Sequence, residues 1–197
     1  MKKIVIMADG KGMRWNNYMG IPKHFAVVKG EELISRIIRL IRQENKNIEI
    51  IVTSHDKRYE FKESIRYEPI NNNYEIDRFT EELIEDDMCF LYGDTFYTEE
   101  SINKILEKEA DDILFFGNKK TIVAVKIKNA EIFKKHRDKV KKAYIDGNIS
   151  KCTGWEVYRS FTEQNFKEPL NLGEKFIIVD DLTTDVDTPL DYELIEK

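Results

Sequence analysis

The feature that most limits this chain is a short apolar run, Ile4-Val5-Ile6-Met7-Ala8, that leads directly into Asp9-Gly10-Lys11-Gly12-Met13-Arg14. A run with no polar alternation reads as a strand buried on both faces, and such strands belong to parallel sheets covered by helices. The rest of the chain repeats the theme. Leu33, Ile34, Ile37, Ile38 and Ile41 recur at helical spacing within residues 31–43, with Arg36, Arg39 and Arg42 on other faces. Further strands are expected at 48–53, at 88–92 ending on Gly93-Asp94, at 113–116, at 121–127 and at 176–180. Helices are expected at 99–108 and 130–142, and a closing helical turn at 189–195 starts with proline in its favoured first position. This alternation predicts an α/β protein: one Rossmann-like domain over residues 1–197, with a mixed, mainly parallel sheet flanked by helices. Ligands of such sheets gather at the carboxyl ends of the strands. Residues 141–172 are less regular and are read as a candidate lid or acceptor-binding lobe.

Composition narrows the function classes. With 32 Lys and Arg against 37 Asp and Glu, the formal charge is -5, which disfavours a uniformly basic nucleic-acid binder. No apolar run approaches the roughly 18 residues that span a bilayer, and Asp9 interrupts the apolar start before it can serve as a signal segment. A cytoplasmic protein with no membrane or nucleic-acid partner is therefore expected. The two cysteines, Cys89 and Cys152, stand outside any metal-ligand spacing and are read as reduced thiols. Charge is nonetheless uneven: residues 1–46 hold ten Lys and Arg against four acids. A polyanion would be drawn to this end, although the helix cations are better explained as solvating an outer face.

Both loops that follow strands carry unusual residues. In Gly10-x-Gly12-x-Arg14 the glycines let backbone N–H groups approach a polyphosphate, and Arg14 adds a planar fork of donors. Pro22-Lys23 places a second cation at the end of the same loop. The dinucleotide fingerprint is not met, because Trp15 stands where a third glycine is required, and Gly10-Lys11 lacks the hydroxyl residue of a Walker loop. Asp94 leaves the end of a strand, and Asp185-Val186-Asp187 supplies two more carboxylates near the C-terminus. One or two carboxylates plus substrate phosphates are the usual protein share of a Mg²⁺ site.

The order of these motifs resembles the NTP-transferase superfamily, sugar-phosphate nucleotidyltransferase-like enzymes that attach a nucleoside monophosphate to phosphorylated acceptors. The resemblance runs through residues 4–14, Pro22-Lys23, Gly30, Leu33-Ile34, Arg36, Tyr92-Gly93-Asp94 and Asp185-Val186-Asp187-Thr188-Pro189-Leu190-Asp191. Glu68-Pro69 with Asn71-Asn72-Asn73 is similar to the loop that contacts base or acceptor in short cytidylyltransferases such as phosphocholine cytidylyltransferase. No motif is matched over 119–173. The resemblance implies a GT-A-like nucleotidyltransferase fold, with nucleotide held by Ala8, Asp9, Gly10, Lys11, Gly12, Arg14, Lys23 and Asn72. It implies Mg²⁺ as cofactor on Asp94 and Asp187, Asp185 being the other candidate. Lys23 and Arg14 are the implied catalytic cations, Lys23 on the α-phosphate and Arg14 on the β- and γ-phosphates. CTP is the first choice of donor, with GTP, UTP and dTTP open. The acceptor would be a sugar, polyol, choline or amino-acid phosphate destined for capsular polysaccharide or lipid decoration, and the protein a monomer or homodimer.

One departure stands out: Asp9 replaces the family's usual Gly or Ala, where it could orient Lys11, help bind a metal, or mark weakened nucleotide binding. Two other readings compete with the transferase. A GT-A-type glycosyltransferase would use Asp185-Val186-Asp187 as its metal motif, but little sequence follows it to build an acceptor site. A non-catalytic nucleotide sensor would keep the fold without turnover. Trp155 suits a core position or an acceptor contact, with packing the commoner use. His24 is read as structural or phosphate-touching, His55 and His136 as non-ligands, and residues 134–139 as a solvated helix face.

Overall fold

In the computed structural model, which describes residues 1–196, strand β1 (Lys3–Met7) is buried along its whole length. Its side chains alternate between two apolar clusters, Ile4 and Ile6 in one, Val5 and Met7 in the other. Both faces of the sheet are thus covered, as the unbroken apolar run requires. The remaining strands are β2 (Val27–Val28), β3 (Glu31–Glu32), β4 (Glu49–Thr53), β5 (Ile65–Tyr67), β6 (Met88–Tyr92), β7 (Thr95–Phe96), β8 (Ile113–Gly117), β9 (Ile122–Ile127), β10 (Phe176–Ile178) and β11 (Thr184–Asp185). The helices are α1 (Leu33–Glu44), α2 (Glu99–Glu107), α3 (Ala130–Ile145), α4 (Gly154–Phe161) and α5 (Pro189–Glu196).

Seven strands form the central sheet in the order β10-β8-β9-β6-β1-β4-β5. β1 pairs in parallel with β4 and β6, β4 with β5, and β10 with β8, while β9 runs antiparallel to both its neighbours. The sheet is mixed and mostly parallel, as expected. One face packs on α1 and α2 through Ile34, Ile37, Ile41, Ile102 and Ile105. The other packs on α3 and α4 through Phe133, Val140, Val157 and Tyr158, with Ile76 and Phe79 from the segment before β6. No helix is long and apolar enough to cross a membrane among the described residues.

Three expectations need correction. The helix expected from residue 31 starts at Leu33, because Glu31 and Glu32 pair with Val28 and Val27 in a hairpin. Its two-residue turn, Lys29-Gly30, takes positive φ at both positions, the geometry that twists a tight hairpin correctly. The segment read as irregular contains α4, capped by a reciprocal Thr153–Glu156 capping box that is legible in the sequence as T-x-x-E. The face at 134–139 is not fully solvated: Arg137 is buried and reaches Glu81 and Asp138 at 3.2 and 2.8 Å. The arginines of α1 are likewise structural ties. Arg36 donates to the Tyr97 carbonyl and lies over the Phe96 ring, and Arg39 grips both oxygens of Glu31.

Candidate active site

Asp94 owes its position to Gly93. A Cβ at Gly93 would stand 2.8 Å from the Met7 carbonyl oxygen, so only glycine lets β6 turn against the end of β1 there. The Gly93 N–H donates to that same carbonyl at 3.0 Å. The short antiparallel pair β7–β11 then sets Asp185 opposite Thr95, and the Val186 N–H donates to the Asp94 carbonyl. Two motifs some ninety residues apart are brought side by side. Asp191 fixes the turn after Asp187, accepting from the N–H of Asp187 and Thr188 and from the Thr188 hydroxyl.

Lys23 lies between these carboxylates. Its Nζ donates to Asp187 Oδ1 at 2.8 Å and pairs with Asp94 Oδ2. Lys23, Asp94 and Asp187 all have side chains at or below 13% exposure, so the charges are drawn mostly out of water. Burial opposes the Lys23 charge, but Asp94 and Asp187 outweigh it and hold the ammonium above its ordinary value. Burial likewise opposes ionisation of Asp94, and Lys23 outweighs it, keeping that carboxyl low. Arg14 pairs with Asp187 Oδ2 at 2.8 Å while its side chain remains 68% exposed, free to turn toward an anion. Its loop is anchored by the buried Trp15, whose Nε1 donates to the Ile21 carbonyl and whose ring packs edge-on with Tyr18 and Tyr192. That cluster ties the first loop to α5.

The donor chemistry suits a hard divalent cation. Among the described residues no three Asp, Glu, His or Cys side chains converge into a closed cage, so Asp94 and Asp187 would leave most positions to water and phosphate, as Mg²⁺ prefers. Burial above all, with a hydrogen bond to Asp187 and the Asp187 charge, pushes the Asp185 carboxyl up to about 6.

His24 has a structural role. It is buried, shares a 2.7 Å hydrogen bond with the Tyr59 hydroxyl, and burial pushes its pKa down to about 4. Asp9 does not turn to Lys11 or to the carboxylate cluster. Its carboxylate accepts from the His55 N–H and Nδ1 and from the Asn72 amide, which also donates to the Asp9 carbonyl. Asn72 therefore stands beside the glycine loop as a brace on Asp9. His136 is hydrogen bonded to Ser160. Trp155 is used in packing, stacked on Phe176 at 5.5 Å with rings 7° from parallel, and it also lines a cavity.

Two cavities open at this edge, with Lys23 and its carboxylates between them. One, of about 330 Å³, is lined by residues 8–12, Lys23 and His55. The other, of about 180 Å³, is lined by Arg14, Arg78, Asp94, Lys120, Trp155 and Asp187 among others. Arg78 is the residue that sequence reasoning missed: its guanidinium packs against Gly10, 3.3 Å from where a Cβ would be. It sits on a short turn among acids, with no motif around it to signal a role.

No protein-family model matches the chain, and no curated protein matches it. Solved structures do. The inositol-1-phosphate CTP transferase from T. maritima is similar over 99% of this chain and 95% of its own, with TM-score 0.61 and 16% identity. The CTP:phosphocholine cytidylyltransferase from Streptococcus pneumoniae covers 99% and 97%, with TM-score 0.59 and 14% identity. The UDP-glucose pyrophosphorylase from Acinetobacter baumanii covers 100% and 92%, with TM-score 0.64 and 12% identity. These neighbours are nucleotidyltransferases, and the fold of this chain, end to end over the described residues, is the one that they share.

Proposed function

We propose that this protein is a Mg²⁺-dependent nucleotidyltransferase that transfers a nucleoside monophosphate, CMP from CTP as first choice, to a phosphorylated small-molecule acceptor and releases pyrophosphate. The observation that carries the reading is the buried Lys23 held between Asp94 and Asp187, with Arg14 beside it, at the wall between two cavities. An acceptor phosphate is ionised near neutral pH, so the reaction needs no protein base. Its difficulty is bringing two anions together, which makes positioning and charge neutralisation the whole of catalysis.

The nucleotide enters against residues 8–12, with backbone N–H groups of the glycine loop on its phosphates. Arg14 turns from Asp187 onto the β- and γ-phosphates, and Lys23 moves the short distance to the α-phosphate. Asp94 and Asp187, relieved of their cations, are the residues that would hold Mg²⁺, which supplies further charge neutralisation between the two substrates. The acceptor lies in the cavity of Arg78, Lys120 and Trp155. Its phosphate oxygen attacks the α-phosphorus in line, and pyrophosphate departs on the side of Arg14.

The test is pyrophosphate release with Mg²⁺, each NTP in turn, and a pool of sugar, polyol, choline and amino-acid phosphates. Release that requires one NTP and one acceptor together is the expected result. Nucleotide binding with no turnover on any acceptor would overturn the enzyme in favour of a nucleotide sensor.

A further inference from the structure

The nucleotide-side cavity contains a polar pair that neither the fold nor the phosphate chemistry requires. Asp9 Oδ1 accepts from the His55 backbone N–H at 2.9 Å, and its carboxylate lies 2.9 and 3.0 Å from His55 Nδ1. The Asn72 amide holds Oδ2 from the other side at 2.8 Å. An ionised carboxylate only accepts hydrogen bonds, so Nδ1 of a neutral His55 must carry the ring proton. Nε2 is then left with a lone pair, on a side chain that is 57% exposed and lines the cavity formed by residues 8–12. Asp9 bridges the ends of β1 and β4 and the loop after β5, so the imidazole is fixed in orientation as well as in tautomer.

We propose that His55 is a base-selecting residue, and that Asp9 sets which base it selects. Resting on the nucleotide-side placement given above, the unprotonated Nε2 accepts from the exocyclic amino group of an aminopyrimidine and faces the corresponding carbonyl of an oxopyrimidine lone pair to lone pair. CTP and UTP differ at that exocyclic group and at the adjacent ring N3, so an acceptor placed at the exocyclic group selects CTP. A site built to bond one hydrogen-bonding group rejects the isostere that lacks it far more strongly than an apolar pocket does. The Asp9 charge is covered by three donors, the His55 N–H, the His55 ring and the Asn72 amide, which accounts for a carboxylate being tolerated beside a polyanion.

The experiment is calorimetric titration of the full-length protein with CTP and with UTP, with Mg²⁺, at about pH 8.5, where imidazole is neutral. The wild type should favour CTP by about tenfold or more, and H55F should bring the two within about threefold. D9N should reverse the order: its amide donates to Nδ1, moves the ring proton to Nε2, and makes His55 a donor to the uracil carbonyl. Ring ¹⁵N shifts of His55 in the nucleotide-free wild type should show Nδ1 protonated and Nε2 bare, a readout independent of any ligand. Equal or tighter binding of UTP by the wild type, an unchanged ratio in both variants, or a proton on Nε2 would each overturn the proposal. Failure of every NTP to bind would overturn the placement of the nucleotide, and this proposal with it.

Discussion

The two cavities that flank Lys23 are built in opposite ways. The side of the glycine loop is made from the segments that follow two adjacent parallel strands, β1 and β4, and meet locally. The other side is assembled from six separate segments, Arg14 and the stretches around residues 75–78, 92–95, 120–122, 153–155 and 185–187, including antiparallel β9 and the start of α4. The difference teaches where each half of the chemistry can change. A strand-end loop is held by the sheet and presents backbone donors that most substitutions leave intact. A cavity of converging side chains can be altered one residue at a time, which fits the proposed function, with a constant triphosphate on one side and a variable acceptor on the other.

The sharpest break of that comparison is at the shared wall. Lys23→Met removes the cation that stands between the two cavities and leaves Asp94 and Asp187 facing each other. Turnover should fall about 10³-fold under saturating substrates, measured as pyrophosphate release, with circular dichroism in Mg²⁺ confirming the fold. Loss confined to KM of one substrate, with kcat intact, would place Lys23 on that side alone.

His24, next in the chain, carries a large pH effect in the acid range. Its pKa is lowered to about 4 chiefly by burial, with Lys23 and Arg78 adding to the shift and Asp94 opposing it. A lowered folded pKa means that the unfolded chain takes up the proton first. The contribution to stability is full above the unfolded value near 6.5, shrinks as pH falls, and is lost below about 4, on the order of 3 kcal/mol in all. His24→Gln should flatten the denaturation midpoint over that window relative to wild type. An identical slope in the variant would assign the acid sensitivity to the carboxylates instead.

What was legible in the sequence follows the same division. β1, the glycine loop, Lys23, Gly93-Asp94 and Asp187 are each readable because strand end, turn and charged residue are adjacent in the chain. The brace on Asp9 was not, because its partners lie 46 and 63 positions away and nothing local marks His55 or Asn72 as belonging together. Arg137 was misread for a related reason: its neighbours Lys134, Lys135 and Lys139 suggest a wet face, yet 3.6-residue periodicity turns this one position into the core beside Phe133 and Val140. Arg78 and Trp155 line a cavity that exists only after β9 and α4 are in place. Periodicity identifies elements, and it is silent on which loops meet.

The cavity of Arg78, Lys120 and Trp155, the proposed acceptor site, is open to a more selective test. Trp155→Ala removes a ring that stacks on Phe176 and lines the smaller cavity. The acceptor KM should rise about tenfold, in the range for losing one aromatic contact, with the NTP KM unchanged. Equal rises in both would mean that the wall moved, and the two cavities are not independent.

The smallest expected effect asks whether α4 is a separately stable unit. Thr153 caps the helix: its Oγ accepts from the Trp155 N–H at 3.1 Å, while its N–H and hydroxyl both donate to Glu156. Thr153→Ala breaks the reciprocal pair and should cost about 1 kcal/mol. If the first turn of α4 opens on its own, amide exchange at residues 154–158 should quicken about fivefold, with β1 amides unchanged, because local opening draws on local stability. Uniform acceleration through β1 would instead make α4 part of the global unit, since Val157 and Tyr158 share a core with Val5 and Met7. In that case the acceptor cavity is as rigid as the nucleotide side despite its patchwork origin, and its selectivity resides in side-chain identity with no contribution from lobe motion.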